Sequence, residues 1–281
     1  MTYISDVVET RYAQGTLARY AYRDFGQTGA EPPLVLLQRF RGSLNHWDPL
    51  FLEVLAQKRR VIIFDNIGVS ESTGDVPTTL EEMAEGAIDF VGALGLRSVD
   101  LLGWSLGGFI AQLVALERPD LVRKLIVAGS GPGGVPGSAQ PDDKVVEYMT
   151  STPTPPEGYL YLFFGFSDEA VRLGEESLAR LETRLVKATT DVTPEQWGRQ
   201  LEAIQRWAGG TGSAWSRLSE LKLPVLVANG SYDVMVDSAD SFAMAQKLSG
   251  ARTVFYSDAG HAFLFQFPEE FGGAVHDFLN R

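Results

Sequence analysis

At 281 residues, with 44% hydrophobic and 21% charged side chains, the chain has material for a sizeable core in one large domain or two modest ones. A formal charge of −12, with no clustered basic footprint, argues against nucleic acid and anionic membrane as partners; the absence of cysteine excludes disulfides, thiolate catalysis and Cys-ligated metals. The N-terminal stretch carries neither a basic leader nor an apolar core segment, and no apolar run approaches the ~20 residues of a spanning helix, so a cytoplasmic protein is expected.

Taken in chain order, the more alternating runs near Arg11–Ala13 and Leu17–Arg23 suit an antiparallel hairpin at one sheet edge. Leu34–Leu37, after Pro32-Pro33, reads as the first buried strand. Arg60–Asp65, Ser98–Gly103, Lys124–Gly129, Pro224–Asn229 and Arg252–Tyr256 follow. These runs are nearly continuous in apolar residues. That pattern implies a sheet buried on both faces, hence parallel strands joined by crossover helices. Thr79–Val91 opens with Thr79 and Glu82 at capping-box spacing, Leu106–Glu117 has helical apolar spacing and ends near Pro119, and Pro268–Leu279 suits a closing helix. The expected fold class is α/β, a mostly parallel central sheet flanked by helices.

The rhythm breaks at Gly129–Gly137, a loop punctuated by Gly and Pro. From Pro141 to about Ser219 no core strand is evident, and the stretch is helical in flavour and rich in aromatic residues. It is read as a helical cap over 135–216, inserted into a core made of 1–134 and 217–281. Extra helices packed on the sheet edge are the alternative.

Gly103-Trp104-Ser105-Leu106-Gly107-Gly108 lies between an expected strand and an expected helix, the context of a G-x-S-x-G nucleophile elbow. Glycines flanking the serine permit close chain approach, a strained turn exposes Oγ, and the helix N-terminus aims its N–H groups at developing negative charge. A serine nucleophile needs a base, and the base an orienting acid. Of the three histidines, His261 follows the last strand at its C-terminal end, where sites in such sheets collect. His46, beside Trp47, is its competitor, and His276 falls inside the terminal helix as a surface or packing residue. Asp233, on the loop after strand 224–229, is the candidate acid, with Asp237 four residues on as the alternate.

With these residues in Ser–Asp–His order, the chain resembles the α/β-hydrolase superfamily, in its group of capped esterases, lactonases and cofactor-free haloperoxidase-like enzymes. The resemblance runs almost end to end. Phe64-Asp65-Asn66-Ile67-Gly68-Val69-Ser70-Glu71-Ser72 is similar to the family's Asp-x-x-Gly-x-Gly-x-Ser loop, with Ser70 at the second Gly; Gly260-His261-Ala262-Phe263, with the downstream Gln266–Phe271, is similar to its catalytic-histidine segment. The resemblance implies Ser105 as nucleophile, His261 as base and Asp233 as acid. It also implies oxyanion donors at the backbone N–H groups of Phe40 and Leu106. One departure stands out: Gln38 and Arg39 occupy the places of the family's His-Gly, and Arg for Gly alters the permitted backbone angles.

Arg39, Arg41 and Trp104 are the candidate substrate-binding side chains. Either arginine suits a substrate carboxylate or phosphate; the commoner arrangement is a surface Arg paired with an acid such as Asp48. The expected chemistry is hydrolysis of an ester or lactone of a small to medium, largely apolar substrate, suggested by the aromatic cap. The same triad also serves C–C bond hydrolysis, lyase and perhydrolase chemistry, and a hydrolase-fold receptor would keep the fold without turnover. Three scattered histidines and no phosphate loop give no metal or cofactor site, and the partner expected is a small molecule. Oligomeric state is not legible.

Overall fold

The computed structural model describes residues 2–186 and 191–281. Its strands are β1 (Arg11–Gln14), β2 (Arg19–Gly26), β3 (Leu34–Leu37), β4 (Arg60–Phe64), β5 (Val99–Trp104), β6 (Val122–Ala128), β7 (Val225–Gly230) and β8 (Arg252–Tyr256). The helices are α1 (Ile4–Val7), α2 (Pro49–Ala56), α3 (Leu80–Ala93), α4 (Leu106–Glu117), α5 (Asp143–Thr150), α6 (Pro156–Phe163), α7 (Asp168–Leu185), α8 (Pro194–Ala208), α9 (Ser238–Lys247), α10 (Phe263–Gln266) and α11 (Pro268–Leu279).

The strands form one sheet in the order β1-β2-β4-β3-β5-β6-β7-β8. β1 and β2 are the expected edge hairpin, and β2 runs antiparallel to β4. The remaining neighbours are parallel. Successive side chains of a strand point to opposite faces, so a strand buried on both must be apolar throughout. β3 illustrates this. Leu34 and Leu36 join the cluster containing Phe51, Leu55 and Phe271 from α2 and α11. Val35 and Leu37 join the opposite cluster, with Phe90 and Ile110 from α3 and α4.

Two local expectations need correction. β8 is an outer strand, and its Arg252 and Thr253 are exposed while Val254–Tyr256 are half-buried; an apolar run does not ensure burial where one flank lacks a neighbour. At α3, Thr79 accepts from the backbone N–H of Glu82, but the Glu82 carboxylate accepts from the Thr79 hydroxyl at 2.7 Å. The hydroxyl captures the carboxylate, so only half of the capping box forms.

Between β6 and β7 the described residues form four helices, α5 to α8, and no strand. α7 is held to the sheet side by Asp48, the N-cap of α2, whose fully buried carboxylate accepts from Ser177 Oγ at 2.6 Å and Arg180 Nη2 at 2.7 Å. Among the described residues no helix is long and apolar enough to cross a membrane.

Candidate active site

β5 enters the sheet centre fully buried and α4 leaves it at once, so the reversal is made at Ser105 alone. Ser105 has φ 57° and ψ −122°, in the left-handed region that costs a non-glycine residue about 1–3 kcal/mol. Its N–H donates to Ala128 O at 2.9 Å, and Ser130 Oγ donates to its carbonyl at 2.9 Å. An N-cap serine ordinarily turns its hydroxyl onto the helix; Ser105 Oγ makes no such bond and is left for other work. The flanking glycines are sterically required. A Cβ on Gly103 would stand 2.2 Å from Gly107 O, and one on Gly107 would stand 2.1 Å from Leu37 O.

His261 and Asp233 sit on adjacent loops at the C-terminal ends of β8 and β7. Ser231 N–H donates to Tyr256 O and Tyr232 N–H to Ala259 O, both at 2.9 Å, which locks the loops together. Asp233 Oδ2 meets His261 Nδ1 at 2.6 Å, while Asp233 Oδ1 accepts from Met235 and Val236 N–H at 2.9 Å each. With its proton on Nδ1, the imidazole presents a bare Nε2 lone pair, and that buried atom has no hydrogen-bond partner among the described residues. Trp104 Nε1 donates to His261 O at 2.9 Å. Trp104 is fully buried and outside the cavity lining, so the side chain expected to bind substrate instead braces His261 from below. Asp237 caps α9 through a 2.9 Å bond from Ala239 N–H and does not reach a histidine. His276 is buried, and its Nε2 bonds Val54 O at 3.0 Å between α11 and α2.

After β3 the chain turns through Arg39-Phe40-Arg41-Gly42, closed by Gly42 N–H to Arg39 O at 3.1 Å. The backbone angles altered by Arg in place of Gly prove harmless at Arg39. The left-handed residue of this turn is Arg41, at φ 55°, and Gln200 Oε1 accepts its N–H at 3.0 Å. Gln38 braces the same loop, accepting from Arg39 N–H at 2.8 Å and donating to Ser43 O at 3.2 Å. The N–H groups of Phe40 and Leu106 donate to no acceptor among the described residues.

Neither arginine pairs with Asp48, which Arg180 has taken. Arg41 Nη1 donates to Met149 O at 2.9 Å and Ser151 O at 2.8 Å, tying the turn to the end of α5. Arg39 is buried, donates from Nη1 to Phe40 O at 2.7 Å, and lies over the Phe163 ring at 4.8 Å and the Trp104 ring at 5.6 Å. Burial pulls its guanidinium down to about 10.

One cavity of about 480 Å³ joins these parts, lined by Ser105, His261, Phe40, Arg39 and Arg41 below and by α5–α8 above. Of the aromatic residues in 135–216, Tyr159, Phe163 and Trp207 line it. Trp197 packs edge-on against Phe40 at 6.1 Å, while Tyr148, Tyr161 and Phe166 form a separate cluster. Sequence reasoning missed the roles of Tyr159, Gln200 and Ser130. A buried tyrosine, an amide 159 positions from its partner and a serine in a Gly-rich loop carry no local signature. His46 reaches the cavity wall, where Ser43 N–H donates to its Nδ1 at 3.1 Å, far from the Asp233 carboxylate's role.

The family described as alpha/beta hydrolase fold matches residues 32–268. An alpha/beta hydrolase fold protein from Chitinophaga pinensis is 35% identical, with 98% of each chain covered and a TM-score of 0.88. The protein of Rhizobium rhizogenes named "Putative carbamate hydrolase RutD" is 27% identical over 257 residues, 88% of this chain and 92% of that one. The pimeloyl-[acyl-carrier protein] methyl ester esterase of Nitrosomonas europaea is 28% identical over 248 residues, 87% of this chain and 94% of that one. On the extent of the family match and the sheet order together, the chain belongs to the alpha/beta hydrolase fold family.

Proposed function

We propose that this hydrolase is serine-dependent and cleaves an ester or lactone of a small to medium, largely apolar substrate through an acyl-enzyme at Ser105. The observation that carries the proposal is the Asp233–His261 pair at 2.6 Å: His261, whose Nε2 has no partner among the described residues, lines the same cavity as Ser105, whose hydroxyl does not cap its helix. His261 Nε2 accepts the Ser105 Oγ proton as Oγ adds to the substrate carbonyl. The N–H groups of Phe40 and Leu106, both unengaged, donate to the resulting oxyanion. Asp233 stabilises the imidazolium and holds its tautomer; His261 then gives the proton to the leaving oxygen and takes one from the water that releases the acid.

Residues 135–216 act, in this proposal, as a cap over the core of 1–134 and 217–281. Support comes from the cavity lying between α5–α8 and the loops at the strand ends. The apolar walls from Phe109, Phe163 and Trp207 favour an apolar substrate body.

The test is hydrolysis of a p-nitrophenyl ester panel by the parent and by Ser105→Ala. The variant is expected to lose turnover by roughly 10⁶-fold. Full activity retained in Ser105→Ala sinks the proposal. Labelling of Ser105 by a fluorophosphonate probe separates a reactive serine from an inert binding protein.

A further inference from the structure

A buried cation normally has an acid in contact, because an isolated charge away from water is costly. Arg39 has none. It makes no ion pair among the described residues, and the residues outside them, Met1 and 187–190, carry no carboxylate. Asp191 is the carboxylate that acts on it electrostatically, and that side chain is 83% exposed. Arg39 spends one N–H on Phe40 O, and its buried Nε bonds nothing.

A second orphan lies beside it. Tyr159, on α6, is close enough to Arg39 for each to act on the other electrostatically, and its buried hydroxyl has no partner among the described residues. His46 borders the same wall. Its Nδ1 accepts from Ser43 N–H, so the ring carries its proton on Nε2, 3.9 Å from the exposed Asp191 carboxylate, and adds a neutral donor to the wall. All three line the cavity that holds Ser105.

We infer that Arg39 and Tyr159, with His46 beside them, form a carboxylate-binding subsite, and that the substrate hydrolysed at Ser105 carries a free carboxylate. The inference rests on the proposed hydrolysis and specifies its substrate class. A carboxylate fits better than a phosphate dianion, since one buried guanidinium balances one negative charge and its planar fork matches two carboxylate oxygens. The subsite is close to the chemistry. Phe163 contacts both the Arg39 guanidinium, at 4.8 Å, and the His261 ring, at 5.8 Å; Trp104 does the same at 5.6 and 5.7 Å. A short spacer therefore separates the carboxylate from the scissile group, as in a monoester of a short dicarboxylic acid.

The experiment uses the full chain carrying Ser105→Ala, so that binding is read without turnover and independently of whether Ser105 is the nucleophile. Monomethyl glutarate and the neutral dimethyl glutarate are titrated by calorimetry into this protein and into its Arg39→Met and Tyr159→Phe derivatives. With Arg39 present the monoanion is expected to bind roughly 10- to 100-fold tighter than the diester, the range of a charge-assisted bidentate contact. Arg39→Met should abolish that preference and Tyr159→Phe should reduce it by about 5-fold, as for one lost hydrogen bond. Thermal unfolding separates a lost site from a lost fold: an unpaired buried charge replaced by Met is expected to leave the midpoint unchanged or raised. No monoanion binding, no preference in the parent, or a preference that survives Arg39→Met overturns the subsite. If Arg39→Met fails to fold, an unchanged preference in Tyr159→Phe overturns it instead. Full esterase activity retained in Ser105→Ala alongside an intact anion preference would count against the proposed hydrolysis and leave the subsite standing.

Discussion

The carboxylate of Asp233 holds the imidazole of His261 at 2.6 Å through Nδ1, and two backbone N–H groups, from Met235 and Val236, hold the carboxylate. The acid is thus anchored by one oxygen and acts with the other. Asp237, four residues on, spends its side chain on the start of α9. Asp233→Asn should lower kcat on a p-nitrophenyl ester by about 10⁴-fold, because an amide stabilises the wrong tautomer. Asp237→Ala should leave kcat within a few-fold and cost only about 1 kcal/mol of stability, the value of a helix cap. Steady-state kinetics and urea denaturation of both variants check this; similar kcat losses would contradict it.

The elbow leaves no room beside β3. Gly107→Ala places a Cβ 2.1 Å from Leu37 O, against backbone that cannot swing aside as a side chain would. The variant should lose about 3 kcal/mol or more, beyond the usual cost of overpacking, and lose activity with it. Gly273→Ala, inside α11 where a Cβ meets nothing within 4 Å, is the control and should be more stable than the parent by about 0.5–1 kcal/mol, the helix preference of Ala over Gly. Chemical denaturation midpoints decide the comparison.

Arg180 neutralises the fully buried Asp48 across α7 and the start of α2. Arg180→Met strands that carboxylate with only Ser177 and the α2 cap, and should destabilise by about 3–5 kcal/mol. Adding Asp48→Asn should recover part of the loss. Equal stabilities of single and double variants in a denaturant titration would show that the pair does not act as a unit.

Burial, with the guanidinium groups of Arg39, Arg184 and Arg41 nearby, pushes the His46 imidazole down to about 3 from 6.5. Between those values the unfolded chain binds a proton that the folded chain does not. The contribution of His46 to stability is therefore present above about pH 6.5 and lost as pH falls toward 3. Asp65 works the other way. Burial raises its carboxyl to about 7, against the backbone N–H of Leu44 and Glu71, so its contribution is complete below about 3.8 and lost as pH rises through 7. The two oppose each other between about pH 4 and 6.5, which flattens the parent's profile. His46→Gln removes one of them, so the stability advantage of the parent over this variant should grow with pH across that window. Urea denaturation at fixed ionic strength measures it, and a pH-independent difference would refute the assignment.

Six parallel or edge strands, the helices Leu106–Glu117 and Pro268–Leu279, the elbow at Ser105 and the order Ser–Asp–His were all legible in the chain. The strands, helices and elbow depend on periodicity or on glycine placement within about ten residues, where local sterics dominate, and the order of Ser105, Asp233 and His261 is read directly along the chain. The choice of Asp233 over Asp237 as the partner of His261 had only loop position behind it until the side chains were seen.

What the chain could not disclose alone is which partners meet across long separations. In sequence Asp48 lies nearest Arg39 and Arg41, but α7 brings Arg180 to it over 132 positions. For Arg39 the sequence leaves open a substrate-binding role or a surface pair with an acid; the turn after β3 and helix α6 bury it over Phe163, with no ion pair among the described residues. Local sequence determined the scaffold and the turn at Ser105, because both are short-range. Tertiary packing alone decided which charges are neutralised and which are left facing the cavity, because desolvation depends on everything folded around a group rather than on its neighbours in sequence.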